Sequence, residues 1–197
     1  MIAILDYGAG NLRSVQNTLD EIGAKYELVR DAASLAKAPK IILPGVGHFG
    51  QMMRALDNLQ VRGALLERIH AGIPFLGICL GLQALFERSA EAPDESGLAV
   101  FRGEVERFGT AARVPHMGWN TLERRSESLL MRGLGASPYV YFAHSFFVPE
   151  TTSAAAVCTY TVPYTAVLES GSIFGVQFHP EKSGAAGLAI MRNFVDL

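Results

Sequence analysis

The sequence predicts an α/β fold: a parallel sheet flanked by helices, followed by a β-rich portion of antiparallel or mixed pairing. Three observations carry this. Over the first half, short apolar runs alternate with amphipathic stretches, the rhythm of βα units. The second half is cut by Gly and Pro into short β-rich segments. And 197 residues with 49% hydrophobic content can bury one substantial core, so a single domain over 1–197 suffices.

Ile2 to Asp6 is the opening strand, and Leu12, Val15, Leu19 and Ile22 follow at helical spacing, ending at Gly23, a natural C-terminal cap. Lys25 to Val29 alternates as a strand, and Lys40-Ile41-Ile42-Leu43 is a buried-type run stopped by Pro44-Gly45-Val46-Gly47. One amphipathic stretch from Gln51 to His70, with Leu56, Leu59, Leu66 and Ile69, closes at Gly72 and Pro74 before the strand Phe75-Leu76-Gly77-Ile78. Beyond Glu87 an acidic loop, Glu91 to Gly97, precedes candidate strands at Val100 to Phe108, Asn120 to Leu122, Tyr139 to Ala143, Ala154 to Tyr160, Thr165 to Glu169 and Ile173 to Phe178. A last helix runs from a Ser183 cap through Leu188, Met191 and Phe194.

The formal net charge of -2, from 17 basic and 19 acidic residues, leaves no footprint for nucleic acid or an anionic membrane. Met1-Ile2-Ala3-Ile4-Leu5-Asp6 lacks a basic n-region and reads as a strand rather than a signal peptide, and no apolar run is long enough to span a bilayer. Cys79 and Cys158 make no disulfide framework; a reducing cytoplasm is the expected location.

Chemistry concentrates at two places. Gly77-Ile78-Cys79-Leu80-Gly81 is G-x-C-x-G between an apolar strand and a helical run (Leu80, Leu82, Leu85, Phe86), the thiol form of a nucleophile elbow. A sharp strand-to-helix turn exposes the nucleophile but crowds the backbone, so small residues are needed two positions either side. The helix N-terminus offers free N–H groups that favour thiolate and hold a developing oxyanion, with Leu80 N–H nearest. A cysteine chosen at random is more often a small packed hydrophobe, and Cys158, lacking an elbow, is assigned that role.

The second place is Gly175-Val176-Gln177-Phe178-His179-Pro180-Glu181, which sets a histidine at a strand end before a proline. Imidazole titrates near neutrality, so His179 can take the thiol proton and return it to a leaving group, while Glu181 fixes the tautomer. A lone histidine at a strand end is ordinarily a core or capping residue; the Glu181 pairing and a competent cysteine shift the weight to catalysis. His70, His48 and His144 are weaker candidates, and no pair has metal-ligand spacing.

Together these residues resemble the class I (triad) glutamine amidotransferases, whose hallmark joins a Gly-x-Cys-x-Gly elbow to a late His-Pro-Glu. Asp6-Tyr7-Gly8-Ala9-Gly10-Asn11-Leu12, Pro44-Gly45-Val46-Gly47, Pro115-His116-Met117-Gly118-Trp119-Asn120 and His179-Pro180-Glu181-Lys182-Ser183 are similar, over essentially the whole chain, to one branch of that family. That branch holds the glutaminase subunits of imidazole glycerol phosphate synthases. The resemblance implies a central mixed, mainly parallel sheet flanked by helices with an additional antiparallel β portion. It implies glutamine hydrolysis through a Cys79 thioester, with Cys79, His179 and Glu181 catalytic and no cofactor or metal. It also implies a heterodimer in which ammonia passes directly to a (β/α)8-barrel cyclase subunit, in histidine biosynthesis.

By the same resemblance, Gly45, Val46 and Gly47 form the loop facing Cys79. Val46 and Leu80 supply the oxyanion hole, each donor being worth roughly 3 kcal/mol. Gly45, Gly47, Gln83 and Glu91 hold glutamine, although Gln83 also reads as a solvated helix residue and Glu91 as a loop charge. Asn11, Met117, Trp119 and Lys182 face the cyclase; without the resemblance Met117 and Trp119 read as core and the other two as surface. Three other readings stay open: a different triad glutaminase or γ-glutamyl hydrolase, a catalytically dead scaffold, and, most distantly, a metal enzyme.

Overall fold

The protein is described by a computed structural model over residues 1–8, 11–111 and 113–197; Ala9 and Gly10 of the first motif lie outside the described residues. The apolar runs of the first half form β1 (Ile2–Leu5), β2 (Tyr26–Val29), β3 (Ile41–Gly45) and β4 (Phe75–Cys79). Between them lie α1 (Leu12–Glu21), a short α2 (Ala32–Leu35) that patterning does not reveal, α3 (Phe49–Asn58) and α4 (Arg62–His70). Helix α1 ends as expected at Gly23, left-handed at φ 72°, with Ala24 N–H bonded back to Leu19 O and Gly23 N–H to Asp20 O.

The stretch expected as one amphipathic run from Gln51 to His70 is two helices. Gln60 takes the left-handed conformation at φ 55°, Val61 N–H reaches Leu56 O and Gln60 N–H reaches Asp57 O. This is the same helix-ending pair of bonds that Gly23 makes, anchored here by fully buried Val61. No glycine marks the break, so the apolar periodicity runs on across it.

After β4 comes α5 (Leu80–Gln83), a single turn, and then β5 (Phe86–Ser89), where a longer helical run through Phe86 was expected. The carbonyls of Ala84, Leu85 and Phe86 accept from the backbone of Leu98 to Phe101 in place of a continuing helix. Further along lie β6 (Phe101–Arg107), β7 (His116–Thr121), β8 (Glu123–Arg124), β9 (Tyr139–His144), β10 (Phe146–Phe147), β11 (Ala154–Tyr160), β12 (Val162–Ser170) and β13 (Ile173–Val176). A 3-10 turn at Pro180–Lys182 leads into α6 (Gly184–Val195).

The main sheet has the order β2-β1-β3-β4-β13-β12-β11-β8, with β2, β1, β3, β4 and β13 parallel and the remainder antiparallel. A three-stranded sheet (β10-β6-β5) and the antiparallel ribbon β7-β9 complete the β structure. Along the parallel strands, side chains alternate between two cores. Ile4, Ile42, Leu76 and Ile78 face α1 and α6 through Val15, Leu19, Ile190 and Phe194. Leu5, Ile41, Leu43 and Phe75 face α3 and α4 through Phe49, Met52, Leu65 and Ile69. Burial on both faces explains why these strands read as unbroken apolar runs, each large side chain contributing about 1.5–3 kcal/mol.

The topology brings distant segments together. Strand β13 pairs parallel with β4, Val176 opposite Ile78, while β3 flanks the other side with Gly45 opposite Cys79. Residues at the carboxyl ends of β3, β4 and β13 therefore share one edge of the sheet, where open α/β sheets place their ligands.

Candidate active site

Cys79 closes β4 with φ 54° and ψ −106°, a backbone conformation that a non-glycine residue holds only when its surroundings force it. The forcing contacts are visible in the glycines. A Cβ on Gly81 would stand 2.0 Å from Leu43 O, and one on Gly77 would stand 2.4 Å from Gly81 O. Both neighbours are backbone and cannot swing away, so the turn closes only with glycine two positions either side of the thiol. Because α5 is a single turn, its dipole is small; the local asset is the Leu80 N–H, free like all first-turn amides.

His179 stands three residues beyond β13, extended before Pro180 as an X-Pro residue must be. Its backbone is clamped: His179 N–H donates to Tyr141 O (2.9 Å), and Ser183 Oγ donates to His179 O (2.6 Å) while accepting from Tyr141 N–H (2.9 Å). Ser183 does stand at the N-cap position of α6, but its hydroxyl makes no capping bond there; it is spent on His179 and β9 instead.

The His179 Nδ1 lies 2.9 Å from Glu181 Oε1, with both side chains almost fully buried. That contact places the proton on Nδ1 and leaves Nε2 for sulfur. Burial pulls the imidazole down, but hydrogen bonding to Cys79 and its charge, then those of Glu181, outweigh it and raise His179 above its ordinary range. The imidazolium is the state this arrangement favours for His179. Cys158, by contrast, is fully buried and pushed up to about 11 by desolvation, an inert thiol.

Cys79, His179, Val46, Gly47, Leu80, Gln83, Glu91 and Met117 line one cavity of about 180 Å³. This is below the ~300–1,000 Å³ of drug-sized pockets and suits a substrate the size of one amino acid. Gln83 is almost fully buried, with Nε2 donating to Phe146 O at 2.8 Å, and is not a solvated helix residue. Glu91 accepts from Phe49 N–H at 2.7 Å, fastening the acidic loop to the start of α3. Gly45 does not reach the cavity: it is buried against the elbow, where a Cβ would lie 2.6 Å from Leu80 Cβ.

Trp119 and Met117 are exposed, at 53% and 66%, and are not core. Trp119 meets the Tyr141 ring edge-on at 6.0 Å, and Lys182 Nζ stands 5.9 Å from the same ring, so both belong to one exposed cluster beside the cavity mouth. Asn11 is half-buried at the N-cap of α1, in the loop leaving the carboxyl end of β1.

Three further groups at or behind the site were given no role by the sequence motifs. Gln177 is fully buried with Nε2 3.6 Å from Cys79 Sγ. Its signal is present in the sequence, since in an extended segment it shares a face with His179 two residues on. His144 lines the cavity, and with His116 it flanks the Tyr164 hydroxyl at 3.2 and 3.1 Å. Burial lowers His116 to about 4 and His144 to about 3, so both imidazoles are neutral near pH 7.

With this geometry in place, comparison with known proteins is specific. The family model described as glutamine amidotransferase class-I matches residues 3–197. The imidazole glycerol phosphate synthase subunit HisH of Deinococcus radiodurans is 45% identical over 197 residues, covering 98% of this chain and 92% of that protein. The subunit of the same name from Methanothermobacter thermautotrophicus is 47% identical over 198 residues, covering 100% and 98%. Among solved structures, a crystal structure of a glutamine amidotransferase matches with a TM-score of 0.76 at 20% identity, covering 99% of this chain and 97% of the other. PurLQS from Thermotoga maritima matches with a TM-score of 0.77 at 18% identity, covering 99% and 97%. At such identities these structures speak for the fold alone.

Proposed function

The chain belongs to the class I glutamine amidotransferases, and from that premise we propose that Cys79, His179 and Glu181 hydrolyse L-glutamine to L-glutamate and ammonia for an imidazole glycerol phosphate synthase. The observation that carries this is a cysteine held at a strained, glycine-walled elbow and sharing a small cavity with a histidine that a buried carboxylate orients. In the first step the Cys79 thiolate attacks the amide carbon. The tetrahedral oxyanion is received by the Leu80 N–H, with the Val46 backbone as second donor. His179 then protonates the departing nitrogen, the C–N bond breaks, and ammonia leaves behind a γ-glutamyl thioester. A water deprotonated by His179 attacks the thioester, the C–S bond breaks, and glutamate and the thiolate are restored. Gly47, Gln83 and Glu91 hold the substrate, and Gly45 acts one layer back by letting the loop approach the elbow.

The acceptor is a (β/α)8-barrel cyclase subunit, docked as a heterodimer over Asn11, Met117, Trp119 and Lys182 in histidine biosynthesis. The exposed aromatic cluster beside the cavity mouth supports this placement, since a docked acceptor receives ammonia before water protonates it. One amidotransferase domain over 1–197 does this work. Two buried thiols without a disulfide fit a cytoplasmic setting. The test is glutamate release by the purified chain and by Cys79→Ala, with and without the cyclase and its nucleotide ligand. Loss of turnover in a folded Cys79→Ala supports the reading; persisting turnover refutes it.

A further inference from the structure

The Cys79 sulfur has a neighbour that the triad does not use. Gln177 Nε2 lies 3.6 Å from Sγ, in the fully buried stretch between β13 and His179. Which end of a glutamine amide faces a partner must be argued from its hydrogen bonds, and here they leave one solution. The Phe146 carbonyl can only accept, so the atom of Gln83 that lies 2.8 Å from it is Nε2. The other N–H of that nitrogen reaches Gln177 Oε1 at 3.1 Å. With its oxygen occupied, Gln177 turns its NH2 group to the sulfur. The polarity at the nucleophile is therefore dictated by a backbone carbonyl on β10, through two buried amides.

We propose that Gln177 is a second, non-titrating hydrogen-bond donor to the Cys79 sulfur. It is oriented by the Phe146 carbonyl through Gln83, and it stabilises the thiolate both before attack and as the leaving group of the thioester. The proposal rests on Cys79 being the nucleophile and assigns a task that His179 cannot perform throughout. His179 gives its proton to ammonia and regains one only when water attacks, so its donor to the sulfur comes and goes through the cycle. An amide N–H keeps its proton at every step. Gln177 is thus a positioning residue for the sulfur's charge, and its link to Gln83 couples the thiolate to the wall of the substrate cavity.

Two measurements decide the matter. In the full chain, Gln177→Met keeps the approximate volume and removes the donor. The pH midpoint of iodoacetamide alkylation, followed by peptide mapping of Cys79, should rise by about one unit. A midpoint within 0.2 unit of the unaltered chain's, roughly the precision of such a titration, would overturn the proposal, because a merely structural role leaves the thiol's titration where it was. Should that variant not fold, side-chain amide resonances of Gln177 in the unaltered chain serve instead. One N–H proton should move downfield as Cys79 ionises and return when Cys79 is alkylated; insensitivity to both would overturn it. Failure here is distinct from failure of the nucleophile assignment, which persisting glutamate release in Cys79→Ala would signal.

Discussion

Glu181→Gln is the substitution whose cost can be worked most directly from the geometry. Glu181 Oε1 lies 2.9 Å from His179 Nδ1, and the two side chains are 2% and 4% exposed, so little water screens the pair. Taking charge centres about 4 Å apart and an effective dielectric near 20, the carboxylate stabilises the imidazolium by about 4 kcal/mol. At ~1.4 kcal/mol per factor of ten, its loss should lower kcat about 10³-fold. KM should change little, because Glu181 does not line the cavity. The amide is isosteric, so circular dichroism and thermal unfolding should stay close to those of the unaltered chain. The pH profile supplies a second check: Glu181 helps raise His179, so without it the alkaline limb of kcat must move to lower pH. Steady-state glutamate release, coupled to glutamate dehydrogenase, measures all of this. A loss below tenfold, or one expressed wholly in KM, would refute the assignment of Glu181 as the group that holds His179.

Other consequences are equally concrete. Gly81→Ala puts a Cβ 2.0 Å from Leu43 O, a backbone atom, and should cost about 2–3 kcal/mol in urea unfolding along with most of kcat; an unperturbed variant would show that the elbow is loose. Acid should unfold the protein through His116 and His144. Both are held neutral by burial, at about 4 and about 3, whereas the unfolded chain takes up protons near 6.5. Their stabilisation is complete above pH 6.5 and is lost as pH falls toward 4 and 3, with a slope approaching ~2.7 kcal/mol per pH unit while two protons separate the states. Urea titrations at pH 7, 5.5 and 4.5, spanning the ordinary histidine range, would contradict this if they gave the same stability. Trp119→Ala should leave the fold intact and weaken association with the barrel cyclase at least tenfold by calorimetry; unchanged affinity would remove Trp119 from the interface.

Much of this was legible in the sequence, for reasons tied to particular residues. Strands such as Ile41–Gly45 and Phe75–Cys79 are buried on both faces and so are written as short apolar runs, and the elbow announces itself because no residue but glycine fits at 77 and 81. What escaped depends on tertiary contacts. The break between α3 and α4 rests on Gln60 in a conformation ordinarily marked by glycine. Helix α5 stops after one turn because a segment from residues 97–101 takes the carbonyls of residues 84–87, which would have continued it. Ser183 spends its hydroxyl on a strand 42 residues away, and Gln177, whose shared face with His179 is legible, meets the Cys79 sulfur because β13 lies against β4. Trp119 and Met117 looked like core by residue type and are exposed.

The central claim, that glutamine is opened by a covalent bond to Cys79, is tested most directly by acid-quenching the chain during turnover and weighing it intact. The account predicts a mass gain of one γ-glutamyl group, mapping to the peptide that carries Cys79 and absent from Cys79→Ala. Sustained glutamate release with no adduct, or an adduct mapped to another residue, would contradict it.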